Sequence, residues 1–142
     1  MTTRITRIDK SLPLPEYQTP GAVAFDLYSR IDQVIEPGQN ALLPTNFVIE
    51  VPEGHALILA SRSSTYKKGL RFSNGIGIID EDYHGPEDEI HMAVFNYTDE
   101  AVTVSKGDRL GQGLIVPVAK VAWEEVDVIK QSSRGGFGST GK

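Results

Sequence analysis

Three acids and a tyrosine, Asp80, Glu81, Asp82 and Tyr83, follow directly on the apolar run Ile76–Ile79 and close at Gly85, where a glycine permits a tight turn. A carboxylate held there can take a proton from water as a general base or hold Mg2+ through bound water. A solvated acidic hairpin tip is the plain alternative, since exposed acids at turns are common. A second segment, Ala60–Thr65, sets Arg62 among Ser61, Ser63 and Ser64. Helix-start N–H groups, hydroxyls and a guanidinium all donate hydrogen bonds, a set suited to phosphate oxygens; a helix cap beside an exposed arginine explains the same residues.

Two more segments have chemical content. In Lys106–Gln112, Gly107-Asp108 makes a turn, Asp108 with Arg109 reads as a structural ion pair, and Gln112 alone is expected to face a ligand. The chain then ends in Gln131–Lys142, small polar residues around a single phenylalanine. By composition that is a disordered terminus. Phe137, however, offers a stacking surface for a base, and Gly138, Ser139 and Thr140 offer donors to phosphates.

The elements that must position these residues read as strands. Fourteen glycines and eight prolines punctuate the short apolar segments Ala41–Leu43, Phe47–Val51, Ala56–Ala60, Ile76–Ile79, Ile90–Phe95, Val102–Val104, Leu114–Val118 and Val121–Val126. Ile90, Met92 and Val94 alternate onto one face, and Asn46–Val51 alternates similarly. Such faces meet in a β-sandwich or jelly roll. The one helical expectation is a turn or two over Ser63–Lys68, with a serine capping its start and Gly69 stopping it. At 142 residues the chain is sized for one core.

Composition excludes several classes. Hydrophobic residues at 39% and charged residues at 23% suit a globular rather than a disordered chain. No apolar run approaches membrane-spanning length and none follows the basic residues of the N-terminus, so a cytoplasmic protein is expected. Without cysteine, and with His55, His84 and His91 not spaced as a cluster, any metal must be held by oxygen. A net charge of −5 and the absence of a basic stripe argue against nucleic acid as a partner.

The order of the segments is more specific than any one of them. Pro20–Leu27, Ser61–Ser64, Gly77–Gly85, Gly107–Gln112 and Gly135–Gly141 together resemble the five motifs of the trimeric dUTPase family, and the resemblance runs from about Leu12 to Lys142. It implies an all-β jelly-roll subunit with one very short helix, in a homotrimer whose active sites lie at interfaces. Residues 1–128 would form the β domain, and the flexible tail 129–142 would close over a neighbour's site. The implied activity is Mg2+-assisted hydrolysis of dUTP to dUMP and pyrophosphate, limiting uracil incorporation into DNA and supplying dUMP for thymidylate synthesis.

Carried over by position, the resemblance makes Asp80 the general base for water attacking the α-phosphorus. Tyr83 would pack on the deoxyribose, and Asn74 with the hairpin backbone at Gly77 would read the uracil edge. Arg62, Ser63, Ser64 and Gln112 would contact the triphosphate, and Asp26 would hold Mg2+ through water. Phe137 with Gly138 would cover the uracil, while Ser139 and Thr140 close on the γ-phosphate. A carboxylate buried near such charge would have its pKa raised, improving Asp80 as a base.

The chain also departs from the family pattern. Ser64 stands where glycine is frequent and His84 where arginine is common. Ser132 holds the usual tail arginine position, with Arg134 nearer Phe137. Pro86–Asp88 lengthens the loop after Gly85. Two other readings compete: a dCTP deaminase, which shares the fold and an Arg-Ser-Ser segment but lacks the tail, and a non-catalytic nucleotide-binding regulator.

Overall fold

The computed structural model describes residues 1–138 and Gly141; Ser139 and Thr140 lie outside the described residues. Eleven strands run in chain order: β1 (Ile5–Arg7), β2 (Phe25–Tyr28), β3 (Gln33–Ile35), β4 (Asn40–Pro44), β5 (Phe47–Ile49), β6 (His55–Ser61), β7 (Leu70–Phe72), β8 (Ile76–Ile79), β9 (His91–Asn96), β10 (Val102–Val104) and β11 (Arg109–Pro117). All pairings are antiparallel. A four-stranded sheet in the order β2-β11-β6-β8 faces a three-stranded sheet β4-β9-β7, and the ribbons β1-β5 and β10-β3 complete the jelly roll.

The core lies between the two larger sheets. Phe25, Leu27, Leu57 and Leu59 from the first meet Leu43, Met92, Val94, Leu70 and Phe72 from the second, with Phe47 and Ile49 joining them. Alternation brings this about, since successive strand residues point to opposite faces. Two glycines on β11 allow the close approach: a Cβ at Gly111 would lie 2.7 Å from Met92 Sδ, and one at Gly113 2.7 Å from the Phe25 ring.

The opposite face of the four-stranded sheet is unusual. By register it carries Ile76 and Ile78 of β8, Ile58 and Ala60 of β6, and Gln112, Leu114 and Val116 of β11. Ile76 and Ile78 are 51% and 63% exposed. An antiparallel sheet with a solvated face normally shows polar residues there; this one is apolar except where Asp26 of β2 lies beside Gln112.

Most expected strands form, some with shifted ends. Leu114–Val118 is the second half of a longer strand that begins at Arg109. Val121–Val126, expected as a strand, has no regular structure, and Trp123 within it is 93% exposed. Its apolar residues find no partner strand among the described residues. The expected helix is a single 3₁₀ turn, Thr65–Lys68, preceded by Ser64 and stopped by Gly69 in the left-handed region (φ 80°). Ser64 makes no side-chain cap bond. Thr65 Oγ1 instead accepts the Arg62 N–H and donates to the Leu110 carbonyl at 2.6 Å, fixing the turn against β11.

Candidate active site

Asp26 is the centre of the first cluster. It lies on β2 opposite Gln112 of β11, which in turn lies opposite Ala60 of β6. Although only 8% exposed, its carboxylate is matched by two cations: Arg62 Nε at 2.7 Å from one oxygen and Arg109 Nη1 at 3.1 Å from the other. Arg62 Nη1 also donates to the Arg109 carbonyl at 3.4 Å, and Gln112 Nε2 donates to the Ser61 carbonyl at 3.1 Å. Two guanidiniums against one carboxylate leave a local surplus of positive charge in a protein of net charge −5. Ser63 and Ser64 sit exposed beside it, so cations and hydroxyl donors converge where an anion can lie.

A bulge builds this cluster. The β11–β2 register skips between Arg109 and Gly111, so Leu110 turns into the core and Arg109 turns out beside Asp26, a typical use of a bulge to re-aim a side chain. The expected Asp108–Arg109 pair is therefore corrected. Asp108 accepts the Ser105 N–H and pairs with Lys68 at 3.1 Å, while Arg109 belongs to the Asp26 cluster. The place of Arg109 in this cluster could not be read from the sequence, because nothing in Gly107–Gln112 marks the bulge.

The second cluster stands at the other end of the same sheet. Among the described residues β8 is an edge strand, bonded on one side only to β6, so its outer edge is available to pair with a ligand. Asn74 lies exposed in the turn before it, with Gly75 at φ 73°. Gly77 is buried against Leu59, where a Cβ would lie 3.2 Å from Leu59 Cβ, so only its backbone can serve a ligand. Past Ile79 come Asp80 and Tyr83. Glu81 fixes the loop start, accepting the Gly54 N–H at 2.8 Å and pairing with Lys120. That ammonium, followed by the Gly54 N–H, holds the Glu81 carboxyl below the usual range. Asp80 itself is exposed in the subunit, contrary to the expected burial: the loop turns it to the surface.

The two clusters do not meet within one subunit. Ile79 pairs with Leu57 and Ile76 with Ala60, so Asp80 and Arg62 leave opposite ends of β6. Asp80 falls level with Ala56, six residues along the strand from Arg62, so their backbones are about 20 Å apart at about 3.3 Å per residue. The cleft beside Asp26, lined also by Leu12, Glu16, Tyr28 and Arg109, has a volume of about 220 Å3, below the 300 Å3 or so at which small-molecule sites begin. Phe137 is fully exposed, with φ 50° and Gly138 following at φ 86°.

Fold and clusters together define a jelly-roll protein with an arginine-rich cluster around Asp26 beside an apolar face. The dUTPase family model matches residues 10–141. A deoxyuridine 5'-triphosphate nucleotidohydrolase of Dictyoglomus turgidum is 40% identical over 144 residues, covering 96% of each chain. One from Anaplasma marginale is 42% identical over 135 residues, covering 92% of this chain and 90% of the relative. The crystal structure of dUTPase from Streptococcus mutans superposes with a TM-score of 0.78 at 32% identity, over 84% of this chain and 98% of that one. A Staphylococcus bacteriophage 80alpha dUTPase shares the fold with a TM-score of 0.86 at 24% identity, over 99% of each chain. The chain belongs to the dUTPase family.

Proposed function

We propose that this chain hydrolyses dUTP to dUMP and pyrophosphate in sites completed between copies of itself, as a homotrimer. The observation that carries the reading is the separation of Arg62 from Asp80 along β6, joined to the apolar outer face between them. A face bearing Ile58, Leu114, Val116, Ile76 and Ile78 is suited to burial against other copies. Such burial would bring one copy's Asp80 loop to another's Asp26–Arg62–Arg109 cluster. Residues 1–128 form the β domain in this reading, and 129–142 a tail long enough to reach a neighbour.

In the joint site Arg62, Ser63, Ser64 and Gln112 bind the triphosphate. The free edge of β8 at Gly77, with Asn74, pairs with the uracil ring, and Tyr83 packs on the deoxyribose. Asp80 takes a proton from water as its oxygen bonds to the α-phosphorus. The bond from that phosphorus to the bridging oxygen breaks, and pyrophosphate leaves with the electron pair. Phe137 and Gly138 then cover the base, with Ser139 and Thr140 assigned to the γ-phosphate, excluding bulk water.

Among the described residues, no group of three or more acidic, His or Cys side chains could hold a metal. Asp26, the acid at the centre of the arginine cluster, has both its oxygens engaged by arginines. That donor set fits Mg2+ carried mainly by phosphates and water, with Asp26 touching its water shell, as this hard, reluctantly dehydrated ion prefers. When bound, the ion would neutralise phosphate charge and align the chain for in-line attack.

No helix among the described residues is long and apolar enough to cross a membrane, and a cytoplasmic site of action suits a nucleotide substrate. The test is pyrophosphate release from dUTP, dCTP, dTTP and UTP with Mg2+, for the native chain and for Asp80→Asn. Turnover of dUTP alone, lowered by about 10²-fold to 10⁴-fold in Asp80→Asn, supports the reading. Ammonia release from dCTP, or dUTP binding without turnover, would overturn it in favour of a deaminase or a regulator.

A further inference from the structure

The connection from β8 to β9, residues 80–90, carries Asp80 and Tyr83 without regular secondary structure. Tyr83 can exclude a 2′-hydroxyl only if its ring is held to a fraction of an ångström. Within the connection its anchors are the N–H bonded to the Asp80 carbonyl at 3.3 Å and the hydroxyl donating to the Glu89 carbonyl at 3.4 Å. His91 Nδ1 lies 2.7 Å from that same Glu89 carbonyl.

Residue 89 is itself held with unusual strength. Its buried carboxylate, 6% exposed, receives Arg30 in a two-pronged pair at 2.8 and 2.9 Å and the Asn46 N–H at 2.8 Å. Asn46 sits in the left-handed region (φ 79°) and clasps Asp9 through both ends of its side-chain amide. Next door, Ile90 donates to the Phe47 carbonyl at 2.9 Å and accepts from the Thr45 hydroxyl at 2.8 Å. Glu89 cannot shift without stranding a buried charge, which proteins do not tolerate cheaply.

We propose that Glu89, locked by Arg30 and Asn46, is the positioning residue for Tyr83 and so sets discrimination between deoxyribose and ribose. The inference rests on the dUTP reading above and deepens it. Glu89 touches no substrate; it holds fixed the carbonyl to which Tyr83 is tied. Pro86–Asp88 then acts as a spacer between Tyr83 and Glu89, closed on itself by Asp88 Oδ2 accepting the Gly85 N–H at 2.6 Å.

The experiment measures kcat and KM for dUTP and UTP in the native chain, Tyr83→Phe, Glu89→Gln, the double variant and Arg30→Lys. An apolar wall rejects an added hydroxyl by about 100-fold. Loosening it is therefore expected to cut the dUTP preference about tenfold in Tyr83→Phe and in Glu89→Gln, with Glu89→Gln acting on KM rather than kcat. The double variant should be no worse than Glu89→Gln, and Arg30→Lys should retain most of the preference. Unchanged selectivity in Tyr83→Phe, which keeps its ring packing and should fold, overturns the proposal, as does a double variant equal to the product of the singles. If the native chain does not hydrolyse dUTP, the underlying reading fails instead.

Discussion

Arg62 and Asp80 stand at opposite ends of the β6–β8 pair, one beyond Ala60 and its partner Ile76, the other beyond Ile79 and its partner Leu57. If one copy supplies Arg62 and another Asp80, two inactive variants can rescue each other. Arg62→Ala and Asp80→Asn, refolded together in equal amounts, should regain about one quarter of native dUTP turnover, the fraction of sites drawing both residues from intact copies under random mixing. Pyrophosphate release before and after co-refolding reads this directly. A mixture that stays at the level of the separate variants would place both residues in one subunit's site.

The apolar face between those residues makes its own prediction. Ile58 and Ile78 are directly opposite across the β6–β8 pair and on the outer side. An aspartate at Ile78 should leave the core untouched, since that side chain is already 63% exposed, but it should break the contact between copies. Light scattering after gel filtration is expected to show monomers, with β-sheet circular dichroism retained and dUTP turnover lost together with the oligomer.

What was legible beforehand follows from what each signal depends on. Alternation such as Ile90-Met92-Val94 is local, so the strands and the core face of β9 could be read directly. The motif segments could also be placed, because their residue types are the chemistry. Arg109 was not legible: its outward turn depends on the register skip between Arg109 and Gly111 in the pairing with β2, a tertiary feature that no neighbour in sequence marks. Val121–Val126 has strand composition, yet among the described residues no strand pairs with it. Asp80 was expected to be buried because its chemistry favours burial, whereas the isolated subunit leaves it at the surface.

The tail should matter to turnover and not to stability. Phe137 is fully exposed, and the hydrogen bond from Gly135 N–H to Ser133 Oγ is local to the tail. A chain ending before Gly135 is expected to melt at the native temperature while dUTP turnover falls about 100-fold, the scale on which incomplete positioning acts. Phe137→Ala should cost about tenfold, since base–aromatic stacking contributes about 1–3 kcal/mol. Thermal melts beside pyrophosphate release separate the two effects. A large drop in melting temperature on truncation would mean that the tail packs on its own subunit.

Acid should weaken the fold through carboxylates paired in the native state, and Asp9 is the clearest case. Its Oδ2 accepts Lys106 Nζ at 2.5 Å, and its Oδ1 accepts the Ser11 N–H at 2.8 Å and the Ser11 hydroxyl at 2.7 Å. The Lys106 ammonium, then Ser11, hold the Asp9 carboxyl well below the usual carboxylate range. A group whose folded pKa is depressed stabilises fully above its unfolded value, near 4 for aspartate, and loses that contribution as pH falls toward the folded value. Asp9→Asn should therefore melt below the native chain at about pH 6, with the gap narrowing steadily below about pH 4. Glu50, lowered by its hydrogen bond with Arg4, adds to the same acid-side loss. Melting curves of both chains from about pH 7 to about pH 3 supply the comparison. A gap that stays constant over that range would show that Asp9 acts through its shape and hydrogen bonds rather than through its charge.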